Sequence, residues 1–413
     1  MRLAFLTHEP FYPPSGGGSA EAIYLVQEFV RRGHEVHLFC PRVADADGVR
    51  RQFAVQLHEF KTWQMGRYTS LRNFKYLAYP IFLERMVEAV ARTVKFDLVF
   101  SQHAISAVAA GRLRQKLRVP VVMNFLDYLT GFMETWPAYL APRPLIKAIT
   151  RYELLIPSKY QADGVLTVSD TLADYFAEAG YPRTRILPIY YGYDAELFTR
   201  KEPGSAPLME KRPLIVMHGS FDHHHLGPIA NEAIIHVASK RPDSVFRFIG
   251  RQTPALVKFL AEVQRQFPRA QIECTGFVPY TEVASELESA TLGIVPYEAS
   301  TGTHCAFVAK TVEYLALGLP VVCTPLKSAL RYFGKEPLVR FSGFDGGSFG
   351  ERILSWLEEP SGRRRALAAA ASQKVRAELD WRALSRKAVD FVEKILAKDG
   401  LDRRDQPRQV DSQ

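Results

Sequence analysis

Short apolar runs that end on polar residues or glycine alternate with segments of helical period along most of this chain. That alternation leaves little besides parallel sheets covered by helices. Strands are expected over residues 3–7, 35–40, 98–101, 119–124 and 164–168. A helix over 19–32 is closed by Gly33, and another over 171–179 by Gly180. Residues 201–213 then carry three prolines, a glycine and charges of both signs, which is the composition of a linker. A second run of strands follows over 214–217, 245–249, 272–275, 293–295 and 321–324. Residues 361–397 have helical period, interrupted near Leu379-Asp380-Trp381. A chain of 413 residues, 47% hydrophobic, can bury two domain-sized cores. The expected layout is α/β: a Rossmann-like domain over 1–195, a linker over 196–212, a second Rossmann-like domain over 213–380, a helix over 381–398 and a polar, disordered tail over 399–413.

The formal net charge of +9 suits a negatively charged partner such as a nucleotide or an anionic membrane. No run of Lys and Arg and no nucleic-acid-binding motif accompanies it, so nucleic acid is not an expected partner. Cys40, Cys274, Cys305 and Cys323 lack close pairing, which indicates neither a disulfide framework nor a zinc site. No segment reaches the roughly 18 apolar residues of a membrane span, and the N-terminus enters a strand at once. The expected setting is cytoplasmic, with no metal and no cofactor.

The segment Lys310-Thr-Val-Glu313-Tyr-Leu-Ala-Leu-Gly318-Leu-Pro320-Val-Val322 reads as a helix, a glycine stop, a turn and a buried strand. Lys310 and Glu313 are three apart and share a helix face. Ahead of them, Thr301-Gly302-Thr303-His304 reads as a small, flexible loop before the helix start, where free backbone N–H groups would bind a phosphate. An ordinary helix–strand unit capped by Gly318 explains the same residues without a ligand.

These residues resemble the retaining GT-B glycosyltransferases of family four, whose helix has the form Glu-x7-Glu followed by Ala-x-Gly-x-Pro-Val-Val. Glu313 matches the second glutamate, and Cys305 stands where the first would fall. Lys310 and Glu313 fit a subgroup with Lys-x-x-Glu-Tyr-x-Ala-x-Gly-x-Pro. The resemblance runs from Met1 to about Asp390. It implies two Rossmann-like domains facing each other across a cleft, with the last helix crossing back onto the first domain. It also implies a nucleotide-sugar donor, as a substrate rather than a cofactor.

Other positions acquire candidate roles beside it. Gly16, Gly17 and Gly18 form a glycine loop after the first strand, free to take φ > 0 and approach a ligand closely. The resemblance gives that loop the donor diphosphate or the acceptor; a mobile loop is the plain alternative. His103 and Asp127 each end a strand and are expected at the same edge of the sheet. The resemblance puts His103 near the reacting sugar and Asp127 at an acceptor hydroxyl, while a structural histidine and a helix cap are the alternatives. Ser220 leaves the first strand of the second domain, in a Gly-Ser-Phe turn where many relatives carry an arginine. His223, His224 and His225 are too close in sequence to ligate one metal and read as loop residues, one of them near the diphosphate. Arg251 ends a strand and could pair with phosphate or a surface carboxylate. Phe277 and Val278 lie in the turn that reads the nucleobase in the resembling family.

The catalytic set is then Lys310, Arg251, His103 and Asp127, with Gly17, Gly18, Ser220, Phe277, Val278, Gly302, Thr303, His304 and Glu313 on the donor. No paired-carboxylate couple of the glycoside-hydrolase kind stands out. The resemblance implies same-face attack with the diphosphate taking up the acceptor proton. The acceptor would be a carbohydrate or a lipid-linked one, as in cell-surface polysaccharide or glycolipid synthesis. Aromatics interleaved with Lys61, Arg67, Arg72, Lys75 and Arg85, and with Arg143, Lys147 and Arg151, suit an anionic membrane surface or simply solvated helices. A sugar-nucleotide 2-epimerase and a catalytically inactive GT-B binding protein are the alternatives, the latter because of Cys305.

Overall fold

The computed structural model describes residues 1–14, 17–61, 74–136, 142–199 and 212–405. Gly16, Arg67, Arg72, the side chain of Lys75, most of the linker and residues 406–413 lie outside them.

The first sheet holds β1 (Arg2–Thr7), β2 (Glu35–Pro41), β3 (Gln56–Phe60), β4 (Leu98–Gln102), β5 (Val121–Phe125), β6 (Gly164–Thr167) and β7 (Ile186–Pro188). Its order is β3-β2-β1-β4-β5-β6-β7, and every pairing is parallel. The second holds β8 (Leu214–His218), β9 (Val245–Ile249), β10 (Gln271–Gly276), β11 (Leu292–Val295), β12 (Val321–Cys323) and β13 (Val339–Phe341). Its order is β10-β9-β8-β11-β12-β13, again all parallel. Central strands such as β4, β5 and β8 are buried along their whole length, as they must be when helices cover both faces. Strands β3, β7 and β13 were not legible as strands. Two are three residues long, β3 reads Gln-Leu-His-Glu-Phe, and all three are sheet edges, where burial does not force an apolar pattern.

Strand order reverses between β1 and β4 in the first sheet and between β8 and β11 in the second. In an open parallel sheet such a reversal leaves a crevice at the strand C-termini, and ligands bind there. Thr7 pairs with Gln102 and Gln102 with Asn124, so the loops after β1, β4 and β5 leave the first sheet at one level.

The chain crosses between the domains twice. Tyr193 N donates to Leu379 O at 3.0 Å and Trp381 N to Tyr193 O at 3.2 Å, which ties the two crossings together. Helix Trp381–Asp405 then packs on the first domain. Arg32 reaches Asp390 and Glu393, each at 2.7 Å, and Ile395 Cδ1 fills the space that a side chain at Gly164 would need. This helix continues to Asp405, so the backbone of 399–405 is helical rather than part of a disordered tail.

Candidate functional site

Two adjoining cavities of about 310 and 330 Å³ occupy the cleft between the sheets. Lys310, Ser220, Asp127 and Gly18 border both of them. Arg251, His103, Phe277, Val278 and Glu313 border the larger one.

Lys310 is the second residue of helix Ala309–Ala316 and is buried. Its Nζ donates to Tyr297 Oη at 2.9 Å and lies 3.4 Å from His225 Nε2. Burial pulls its pKa down to about 8, against the opposing attraction of Glu313. Gly219 turns the chain beside it with φ +107°, a conformation that L side chains avoid. A Cβ at Gly219 would sit 3.3 Å from Lys310 Cε. One turn along the helix, Glu313 is also buried. Its Oε2 is 2.6 Å from His218 Nε2, and its Oε1 accepts from Tyr280 Oη at 3.1 Å. Arg251 lays its guanidinium 4.6 Å over the exposed ring of Phe277. This stacking makes a cationic, aromatic wall at the end of the larger cavity.

The opposite wall is acidic. His103 opens helix His103–Leu117 with φ +67°, and its buried ring lies 3.6 Å from Glu9. Desolvation raises the Asp127 carboxyl to about 7, against the pull of His103. Glu21 is buried on helix Gly17–Arg31, accepts from Asn124 Nδ2 at 3.2 Å and is likewise raised to about 7, chiefly by desolvation. Asp127 does not cap the helical turn Leu129–Thr135, whose N-cap is Tyr128; Glu153 instead takes the N–H groups of Leu129 and Thr130 at 3.0 and 2.8 Å.

Two expectations about loops need correction. Gly17 and Gly18 form the first turn of helix Gly17–Arg31, not a loop. Thr301–Cys305 is a helical turn of its own, fixed by a capping box between Ser300 and Thr303. The N–H of Thr303 goes to Ser300 Oγ, that of His304 to Ser300 O, and that of Thr301 to Glu134. Gly302 packs directly on the backbone of Gly131 and Phe132. Gly302, Thr303 and His304 border neither cavity: Gly302 meets the first domain, while Thr303 bonds to Ser300 and Glu298 and His304 to Lys327 and Ser328 within the second. Cys305 is also buried away from the cavities, its carbonyl accepting from Ser169 Oγ at 2.6 Å. Further on, Ala306–Ala309 border the smaller cavity, the N–H of Ala306 being taken by the Gly302 carbonyl at 3.0 Å.

Sequence reasoning missed Glu9, Glu21, His218, Tyr280 and Tyr297. Glu9, His218 and Tyr297 all lie at or just past the ends of β1, β8 and β11, the strands flanking the order reversals, and that position was the available signal. Of the triple histidine, His224 and His225 border the smaller cavity. Among the described residues no three His, Cys, Asp or Glu side chains are placed to hold a metal.

Two Rossmann-like domains with order reversals facing across one cleft define the GT-B architecture. Residues 15–197 match the model of Glycosyltransferase Family 4, and residues 212–358 match that of Glycosyl transferases group 1. The chain belongs to the group 1 glycosyltransferases and is a glycosyltransferase. It is 25% identical over 289 residues to the putative teichuronic acid biosynthesis glycosyltransferase TuaH of Bacillus subtilis (strain 168), a match covering 67% of each chain. In fold it is similar to sucrose-phosphate synthase from Thermosynechococcus elongatus (TM-score 0.78, 16% identity, 96% of this chain and 99% of that one). It is similar also to Anabaena HepE in complex with UDP (TM-score 0.71, 16% identity, 95% of this chain and 100% of that one), a protein solved with UDP-glucose as well. The epimerase and inactive-binder alternatives are not favoured by these matches.

Proposed function

We propose that the cleft transfers a sugar from a nucleotide-sugar, a UDP-sugar in the first instance, to an acceptor hydroxyl with retention of anomeric configuration. The observation that carries this reading is the buried Lys310, held at the start of a helix across the cleft from His103 and Asp127. As the bond from the anomeric carbon to the diphosphate oxygen breaks, its electron pair goes to the diphosphate. Lys310, the N-terminus of helix Ala309–Ala316 and Arg251 stabilise that charge. The acceptor oxygen attacks from the same face and passes its proton to the departing diphosphate. Asp127 orients the acceptor hydroxyl, Glu313 holds the ribose, and the Arg251–Phe277 wall faces the base. The UDP and UDP-glucose complexes of a protein sharing this fold support the choice of nucleotide.

The acceptor is a carbohydrate or lipid-linked saccharide of a cell-surface polysaccharide or glycolipid. The smaller cavity has an apolar wall in Leu126, Phe132, Met133 and Trp136. Met133 and Trp136 pack against Ile146 and Ile149 of helix Arg143–Lys159. That helix exposes Arg143, Lys147, Arg151, Leu145 and Tyr152, while its one acid, Glu153, is buried. Such a face fits an anionic membrane, with the enzyme on its cytoplasmic side. Among the described residues no helix is long and apolar enough to cross a membrane.

Turnover with UDP-, GDP- and ADP-sugars, followed by NMR of the product anomeric centre, tests the reading. An inverted product rejects retention, and no turnover of any donor rejects the reaction. Sedimentation with anionic against neutral vesicles tests the membrane face through Lys147→Glu and Arg151→Glu.

A further inference from the structure

Glu9 stands two residues beyond β1, its N–H anchored on Thr7 Oγ1 at 3.2 Å. His103 stands directly after β4, the neighbour of β1 in the sheet. The two side chains meet in the cleft, with Nε2 of His103 3.6 Å from Oε2 of Glu9. That separation is too long for a hydrogen bond, and Nε2, though buried, has no hydrogen-bond partner. An oxygen about 2.8 Å from each atom would close the gap with two ordinary hydrogen bonds. Gly18 borders the same spot: a Cβ there would press on Glu9 Oε2 at 2.8 Å and on His103 Nε2 at 2.9 Å. Glycine thus keeps the pair open. Both residues border the larger cavity together with Lys310 and Glu313, and Glu9 borders the smaller one too, so the pair sits where the cavities join.

We propose that Glu9 is a specificity-determining residue which, with His103, selects a hydroxyl of the transferred sugar. The hydroxyl accepts from His103 Nε2–H and donates to the Glu9 carboxylate. The inference rests on the donor reading above. The groups facing His103 are Glu9, Glu21, Asp127, Glu153 and the ring of His8, whose centroid is 5.1 Å away. Burial lowers the His103 pKa, but Glu9, Asp127 and Glu21 outweigh it and hold the ring as a donor. A sugar lacking the hydroxyl leaves the ring N–H and the carboxylate facing each other at 3.6 Å without their bridge, and sites built for a hydroxyl reject analogues that lack it.

The test measures binding of UDP, UDP-glucose and the four UDP-monodeoxyglucoses (positions 2, 3, 4 and 6) by calorimetry. Wild type is expected to bind one deoxy analogue about tenfold or more weakly than UDP-glucose, the range set by a hydrogen bond to a charged group. Glu9→Ala should remove that difference while leaving UDP affinity unchanged. Glu9→Gln keeps an acceptor oxygen and should restore most of it. His103→Asn, a residue that tolerates the left-handed backbone here, should lose the same discrimination without unfolding. Equal affinities for all four analogues in wild type overturn the proposal, as does discrimination that survives Glu9→Ala. A wild type that does not bind UDP at all sinks the donor reading and this inference with it. Normal UDP binding with no deoxy discrimination sinks this inference alone.

Discussion

Oε2 of Glu313 lies 2.6 Å from Nε2 of His218, and Tyr280 Oη reaches the other carboxylate oxygen at 3.1 Å. The carboxylate is thus gripped from the end of β8 and from helix Tyr280–Leu287 before any ligand arrives. Each carboxylate oxygen can accept a second hydrogen bond, so the cavity-facing lone pairs remain for two ribose hydroxyls. Glu313→Ala should weaken UDP binding by roughly 1.5–3 kcal/mol, the range for hydrogen bonds to a charged group. His218→Ala should weaken it less, since the carboxylate stays but loses one of its two supports. Calorimetry decides, and an unaltered UDP affinity in Glu313→Ala removes the ribose role.

Lys310 has a pKa of about 8 because it is buried, so the free enzyme loses this charge at mildly alkaline pH. The protonated form binds diphosphate; kcat/KM, which reports the free enzyme, should therefore fall as pH rises through about 8. Lys310→Arg, charged throughout, should flatten that limb. Lys310→Ala should lower kcat more than it raises KM, because the charge it meets grows as the diphosphate leaves. A wild-type profile flat to pH 9.5 or so, well past the pKa of about 8, would contradict this role.

Glu21 and Asp127 are both held near a pKa of 7, mainly by desolvation. Below the unfolded carboxylate pKa both states carry the proton, and burial costs nothing extra. Between that value and about 7 the unfolded chain ionises while the native one keeps its protons, so stability falls with rising pH and then levels off. Glu21 alone accounts for roughly 3 kcal/mol across that window, given its rise from 4.5 to about 7. Glu21→Gln should match wild type in thermal melts at acid pH and exceed it by several degrees above neutrality. Parallel pH profiles for the two proteins would show that Glu21 titrates normally.

The sequence announced the alternating sheets because central strands such as β9 must be apolar on both faces, and Val245–Ile249 is visible on that ground alone. Lys310 and Glu313 were legible as partners of one cavity because three residues along a helix is a local relation. What hid was non-local. Glu9 meets His103 only because β1 and β4 are neighbours in the sheet, and Glu313 meets His218 only because the helix packs under β8. The misreading of Thr301–His304 had a different cause. Ser300 caps this segment through Thr303, and with that cap the same residues form a fixed helical turn.

Cys305 occupies the position of a sugar-binding glutamate in the resembling family, yet its thiol is buried away from both cavities. Burial pushes its pKa well above the ordinary thiol range, and Glu153, Glu134 and Asp127 add to the rise. Cys305→Ala should leave turnover within about twofold and cost on the order of 1 kcal/mol of stability, as a small buried truncation does. Cys305→Glu should not restore a sugar contact. It would bury a carboxylate beside three others and should destabilise by roughly 3 kcal/mol or more. A Cys305→Glu enzyme that melts like wild type and turns over faster would place this side chain in the cleft after all.

Gly302 packs against the backbone of Gly131 and Phe132 where the two domains meet. An alanine Cβ there would lie 2.4 Å from Phe132 N and 2.6 Å from the carbonyl carbon of Gly131, and both are backbone atoms that cannot rotate away. The clash can be relieved only by parting the Thr301–Cys305 turn from Leu129–Thr135. That motion also strains the bonds from Thr301 to Glu134 and from Ser169 to the Cys305 carbonyl. Lys310 and His103 sit on opposite sides of the gap that would widen. Gly302→Ala should therefore cut kcat by about 10–100-fold, the cost of roughly 1 Å of misplacement between reacting groups. UDP affinity should hold, because His218, Glu313, Phe277 and Arg251 all belong to the second domain. Small-angle scattering should show a larger radius of gyration with circular dichroism unchanged. Glu134→Ala removes the Thr301 bonds without adding bulk and should give a weaker version of the same phenotype. Full activity in Gly302→Ala would mean that catalysis does not need the domains this close at the Gly131–Gly302 contact.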